Sequence, residues 1–376
     1  MEGGRPAERV RQEIIRLSHS GLNSQTFRVE AVRRLRKAIP TDVSFFATAD
    51  PATLLFTSAV RDDLLAQASP QVLEREFLKD DPIKFTRLAR ANLPVDSLGM
   101  ATEGELVRSP RYQEILAPIG LGDELRAVLK VGSKCWGFMC LHRERSGPDF
   151  TPAEAALLAR LAPHLAEGLR AALLLGDSRA TSPPPDGPGL ILLADDLSLV
   201  AITPAAEGWL AEVAEGDWPS SLELPDAVYA VAARLLALER GGHTPPDLMP
   251  RIRLRTASGR WLVLHASRLR ASGAEGQVAV IFEEARTSEI APLIVDAYGL
   301  TRREGEITQL ALRGLSTAEV SEELHITPNT VRDHFKSIFD KVGVRSRREL
   351  VGQVFAQHYQ QRMATGHEPN ADGWFD

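Results

Sequence analysis

The sequence predicts a multidomain α+β chain: two antiparallel sheet-and-helix domains, then a C-terminal segment of four helices. Three observations carry that expectation. The chain has 376 residues, which at roughly 150 residues per domain allows two or three. The stretch "SRATSPPPDGPG", Ser178 to Gly189, cannot be helix or central strand and reads as a stiff linker. From about "EEARTSEIAPLIVDAYGLT" onward, strand-like alternation gives way to helical spacing.

Composition narrows the function classes. A hydrophobic content of 44% with 25% charged residues describes a globular chain rather than a disordered one. No apolar run approaches the roughly 18 residues of a membrane helix, so no membrane partner is expected. The opening "MEGGRPAERVRQEII" is charged from its second residue, unlike a secretory signal, and a cytoplasmic location is expected. Net charge is -6, so any polyanion contact must come from a local patch. Cys135 and Cys140 match no zinc spacing and read as small apolar core residues, placed by their odd separation on opposite faces of a strand. No metal is therefore expected. Phosphate loops of the GxxxxGK[ST] type, HExxH, nucleophile elbows and kinase signatures are absent, and no enzymatic activity is expected.

The first segment starts with helical patterns at Arg9 to Leu17 and Phe27 to Ile39. The short runs "VSFFAT" and "LLFTSA" suit strands. In "ELRAVLKVGSKCWGFMCLHR" two β-rich runs flank "GSK", a hairpin with glycine at its turn. Thr151, Pro152 and Glu154 form a helix start, with Thr as N-cap and Glu three residues on. The long helix that follows should be kinked or divided at Pro163. This order of elements resembles a GAF domain over roughly residues 27–175. The resemblance implies a small-molecule or signal sensor, often dimerised through its flanking helices. We bound it as a helical segment 1–26 and a GAF-like domain 27–177.

After the linker, 178–189, "GLILLADDLSLVAITPAAEGWLAEV" gives a strand, an acidic turn at Asp195-Asp196, a second strand and a helix after Thr203-Pro204. This resembles the start of a PAS domain: Pro204, Ala205, Ala206 and Glu207 match the family's helix start, with Thr203 in place of the usual Asn. "RIRLRT", "RWLVLHASRL" and "QVAVIFEE", joined by "ASG" and "ASGAEG", complete an antiparallel meander. The PAS-like domain is bounded at 190–285. Trp136, Phe138, His142, Trp209, Trp218 and Trp261 are the aromatic and histidine candidates for lining a pocket. Aromatic residues at such positions are more often core. No cofactor is identified, and a small-molecule ligand of either module is left open.

A connecting helix, 286–298, is expected to run on into the C-terminal domain, 299–360, leaving a tail at 361–376. Local rules mark four helices there. Thr301 caps the first, with Glu304 completing a capping box, and Gly314 closes it. Ser316 and Glu319 open a second that ends near His325. Thr327 caps the third with Pro328 at its first position, and Gly343 ends it. Ser346 and Glu349 open the fourth. Helices two and three, joined by "HITP", make a helix-turn-helix.

On a wheel of about 100° per residue, Val331, Phe335, Ile338, Phe339 and Val342 of the third helix share one arc. Asn329, Arg332, Asp333, Lys336 and Asp340 share the opposing one. The major groove of B-DNA admits one α-helix, and a face of this width fits it. Residues 299–326 carry three basic side chains against five acidic ones, whereas 327–348 carry six against two. Positive charge is concentrated where phosphates would lie.

"LTRREGEI", "ALRGLSTAEVSEEL", "ITPNTVRDHFKSIFDKVGV" and "SRRELV" closely resemble the LuxR-type helix-turn-helix domain. The resemblance implies that Arg332, Asp333 and Lys336 face bases, and that Thr330 and Lys341 contact the backbone or fix the helix. The fourth helix, about 346–357, would dimerise, and His334 sits on the flank. The expected DNA-binding set is Asn329, Thr330, Arg332, Asp333, Lys336, Lys341, Arg345 and Arg347. Asp333 has three readings: acceptor for a cytosine amino group, orienter of Arg332 or Lys336, or a repulsive element against wrong sequences. The whole reads as a transcription regulator binding double-stranded DNA, a homodimer, with RNA polymerase contact as the alternative use of the helix-turn-helix.

Overall fold

In the computed structural model the described residues are 4–66, 69–175, 185, 187–213, 224–241, 249–270 and 276–353. The Pro-rich linker, Trp218 and the expected tail lie largely or wholly outside them. The chain divides into two compact units, Met1–Glu283 and Glu284–Asp376.

The first unit holds two five-stranded sheets. Helices α1 (Gly4–Ser18) and α2 (Ser24–Leu35) precede β1 (Val43–Ala49) and β2 (Phe56–Arg61). The N-cap side chain of Asn23 accepts from the Thr26 amide at 2.8 Å, which starts α2. Single helical turns at Asp63–Ala66 (α3) and Phe85–Leu88 (α5) flank α4 (Ser69–Leu78), and β3 (Val95–Ser97) leads into the turn α6 (Leu98–Ala101). The hairpin β4 (Leu121–Val131) and β5 (Lys134–Glu144) turns at Gly132, whose φ of 58° is the left-handed conformation that glycine tolerates. Strand order is β2-β1-β5-β4-β3.

Helix α7 (Pro152–Leu175) covers this sheet as one continuous helix, so Pro163 does not divide it. Leu158, Leu161, Leu165 and Leu169 on both sides of the proline are buried in the same stripe. Burial of both halves outweighs the lost hydrogen bond, a cost of roughly 3 kcal/mol. Helices α1, α2 and α7 pack together. A Cβ added at Gly168 would come within 2.1 Å of the Phe27 ring, so the glycine sets the approach of α2 to α7.

The second sheet comprises β6 (Gly189–Leu193), β7 (Leu199–Ile202), β8 (Arg251–Arg255), β9 (Trp261–Arg268) and β10 (Val278–Glu284), in the order β7-β6-β10-β9-β8. Helix α8 (Pro204–Val213) packs on β6, and α9 (Asp226–Glu239) lies against β9. The two sheets are tied within the unit. Helix α9 packs on α4. Arg61 meets Asp226 at 2.8 Å and Arg253 meets Asp50 at 2.6 Å. Arg255 donates to the carbonyls of Leu173 and Leu174 at 2.9 Å, satisfying the C-terminal end of α7.

The second unit is helical: α10 (Thr287–Ala297), α11 (Arg302–Leu312), α12 (Thr317–Glu323), α13 (Pro328–Val342) and a further helix described over 347–353. The expected run of α10 into the next helix does not occur. Gly299 adopts φ 68° and Thr301 is an N-cap, so the chain turns and starts afresh. Helix α10 instead packs on α11, burying Ile290, Leu293, Ile294 and Val295.

Candidate nucleic-acid interface

The caps read from sequence are realised. Thr301 accepts from the Glu304 amide and Glu304 returns a bond to the Thr301 amide; Ser316 and Glu319 do the same. Thr327 accepts from the Thr330 amide at 3.2 Å, Pro328 sits at the first turn, and Gly343 ends α13 with φ 76°. His325, at φ 53°, supplies the left-handed step between α12 and α13. At the fourth helix the box is incomplete. Ser346 accepts from the Glu349 amide, but the Glu349 carboxylate takes its bond from the Arg345 amide at 2.7 Å.

Helix α13 is seated by its apolar arc. Val331 and Ile338 are fully buried, Phe335 and Val342 nearly so, and Phe339 stacks on Phe335 with ring centroids 5.7 Å apart. Beside this contact Glu304 acts as a polar anchor. Its carboxylate accepts from Ser337 at 2.7 Å, Lys341 at 2.6 Å and its own N-cap amide at 2.7 Å. Burial pushes the Glu304 carboxyl up, but Lys341, Ser337 and Thr301 outweigh it and hold it at about 2. Arg303 donates to the Leu324 carbonyl at 2.6 Å, tying α11 to the end of α12. Arg347 donates to the carbonyls of Ala311 and Leu315 and lies over the Phe335 ring.

The predicted binding set therefore divides. Lys341, though itself exposed, and Arg347 are tied back to α11 and the turn after it, and Thr330 is half-buried with its hydroxyl on Thr327. Asn329, Arg332, Asp333, Lys336 and Arg345 are exposed. Arg332 donates to Asn329 Oδ1 at 2.7 Å. Among the described residues the side chains of Asp333 and Lys336 make no hydrogen bond or ion pair, and Arg332 is held by Asn329. The outward face is a ledge of two cations, two acids (Asp333 and Asp340) and an amide, whose hydrogen-bonding groups remain available to base edges and phosphates.

A second polar cluster, inside the first sheet, escaped the sequence reading. Glu124 and Arg126 on β4 pair across the ladder with His142 and Cys140 on β5. Residues two apart on a strand share a face, which brings all four side chains together. Glu124 accepts from Arg111 at 2.7 Å and from Arg126 at 2.8 Å; Arg126 also meets Glu76 at 2.6 Å and Arg111 meets Asp81 at 3.2 Å. All five of these ionised side chains are at most 2% exposed. Burial raises the Glu124 carboxyl, but Arg111 and Arg126 prevail and hold it well below the usual carboxylate range. Burial pushes the Cys140 thiol far up, the Cys135 thiol up to about 12 and the His142 imidazole down to about 4. A signal was available: charged residues at alternate positions of the otherwise apolar strand "ELRAVLKV". Of the pocket candidates, Trp136, Phe138, Trp209 and Trp261 are buried core and His142 lines a cavity.

Residues 299–354 match the family model described as bacterial regulatory proteins, luxR family. This stretch is similar to the spore germination protein GerE of Bacillus subtilis (strain 168), 38% identical over 55 residues, which take in 15% of this chain and 74% of that protein. It is also 39% identical over 59 residues to an HTH-type transcriptional regulator in the exeN 3′ region of Aeromonas salmonicida, covering 16% of this chain and 30% of that one. Among solved structures, a Vibrio cholera VqmA–ligand–DNA complex aligns with 46% of this chain and 83% of its own at 16% identity and a TM-score of 0.21. The Escherichia coli DhaR(N)–DhaL complex aligns with 74% and 88% at 12% identity and a TM-score of 0.23. Both superpositions are too loose to transfer a fold. Through its helix-turn-helix segment, the chain belongs to the LuxR family of bacterial regulatory proteins.

Proposed function

We propose that this chain is a DNA-binding transcription regulator in which GAF-like and PAS-like sensor modules of the first unit control the helix-turn-helix of the second. The observation that carries the reading is the division of α13. Its apolar arc is buried, its Lys341 is bonded to Glu304, and Arg332 and Lys336 stand exposed beside Asp333 with no carboxylate bound to either cation among the described residues. Arg332 and Lys336 supply the attraction to DNA, and Asp333 selects among base edges, accepting from a cytosine amino group. The charge of 327–348, six basic side chains against two acidic, serves phosphate contact. The helix starting at 347 pairs two copies, and the sensor modules take up a small-molecule signal. No catalytic step is assigned to the chain.

The test is fluorescence anisotropy with genomic DNA fragments at several salt concentrations. Arg332→Ala with Lys336→Ala is expected to lower affinity by about 100-fold at moderate salt and to flatten the salt slope. Unchanged affinity and slope in that variant, with α13 still folded by circular dichroism, would sink the reading.

A further inference from the structure

The buried cluster of the first sheet contains three groups that the fold's own bonding does not fully use. Glu124, Cys140 and His142 each place one potential ligand atom so that all three lie within 4.8 Å of one another. The His142 ring is 2% exposed and makes no hydrogen bond among the described residues. Its Nδ1 has no partner, and Nε2 lies 3.9 Å from Glu124 Oε1, beyond hydrogen-bond reach. A buried imidazole with an unpartnered ring nitrogen is costly unless something else satisfies it.

Size and charge narrow what that something is. The adjoining cavity, lined by all three residues, is about 30 Å³. That accommodates a water or an ion, far below the roughly 300 Å³ or more of an organic-ligand pocket. The bonded chain Asp81–Arg111–Glu124–Arg126–Glu76 sets three carboxylates against two guanidiniums, so one negative charge in it has no bonded counter-charge. Arg61 also lines the cavity but is paired with Asp226; Lys84 and Arg234 are two further cations of this region. They act on Glu76 and Asp81 at the far ends of the chain and hydrogen-bond neither.

We propose that Glu124, Cys140 and His142 bind a divalent d-block cation of the zinc class inside the first sheet. Mixed sulfur, nitrogen and oxygen donors select such an ion over calcium or magnesium, and three protein ligands leave a fourth position open to the cavity. Binding releases the Cys140 proton to solvent. The divalent charge then offsets both the thiolate and the existing excess carboxylate, which leaves the cluster neutral. Each Glu124 oxygen bonds one arginine and keeps a lone pair, so Arg111 and Arg126 become the outer partners that hold the ligating carboxylate in place. That the ion is also the sensed signal rests on the regulator reading; the binding itself does not.

The experiment uses the full chain, stripped with a chelator and titrated with Co²⁺ alone. A 1:1 end point with a near-ultraviolet thiolate-to-cobalt charge-transfer band, bleached by added Zn²⁺, is expected. Cys140→Ser should abolish the band and His142→Gln weaken binding at least tenfold, whereas Cys135→Ser should retain both. Absence of the band from the wild-type chain, or its persistence in Cys140→Ser, overturns the site, and the wild-type titration decides even if a variant fails to fold. DNA affinity with and without Zn²⁺ is read separately. A band with zinc-independent DNA binding keeps the site and overturns its signalling role. A band with no DNA binding at all leaves the site standing and removes the regulator reading.

Discussion

The two units handle charge in opposite ways. In the first, Arg111, Arg126, Glu76, Asp81 and Glu124 are sealed inside a sheet domain and bonded to one another. In the second, the buried charge among the described residues is Glu304, and the remaining charges of α13 are presented outward. Buried charges must be paired to be tolerated, and once paired their geometry is fixed. Exposed charges cost little and stay available to a partner. The contrast teaches that the first unit is built to hold a defined internal arrangement, and the second to offer a surface.

Three changes test the contrast, beginning with the largest expected effect. Arg126→Met leaves Glu124 and Glu76 short of a bonded cation in a sealed interior. A loss of about 3–5 kcal/mol in the stability of the first unit is expected, read from its denaturant midpoint. A neutral result would mean that the interior charges are not structurally committed.

Acid should act on the second unit through Glu304. Its folded pKa, about 2, lies below its ordinary value of 4.5. The stabilisation it contributes is therefore fully present above about pH 4.5 and is lost as pH falls towards 2. Glu304→Gln should cost about 1–3 kcal/mol at pH 7 and remove that part of the acid dependence, followed by helical circular dichroism. A variant with the wild-type pH profile would remove Glu304 from its place as anchor.

The smallest effect is on the outward face. Asn329→Ala releases Arg332 from its hydrogen bond but leaves the helix seated. DNA affinity should fall by less than about 1 kcal/mol, with discrimination between base pairs falling more than overall affinity. An equal loss on every sequence would make Asn329 a backbone contact rather than the orienter of Arg332.

Much of the second unit was legible because its determinants are local. Thr301, Ser316 and Thr327 cap within three residues, Pro328 and Gly343 punctuate α13, and a 3.6-residue period separates Val331 and Ile338 from Arg332 and Lys336. The exceptions were non-local. Lys341 and Arg347 look like their exposed neighbours in sequence, and only their closeness to Glu304 and to the carbonyls of Ala311 and Leu315 ties them back. Division of the helix at Pro163 fails for a similar reason, since the stripe on both sides of it is buried.

The sequence by itself determined the helix-turn-helix, its two-faced third helix and the strand-rich character of the first unit, because capping and periodicity act over a few residues. Only the tertiary structure decided which cations are clamps and which are free to meet a partner. It also decided that Glu76, Asp81, Arg111, Glu124, Arg126, Cys140 and His142, spread over 67 positions of the chain, converge in one sealed cluster. Strand register and packing make that convergence, and no local window of the sequence contains it.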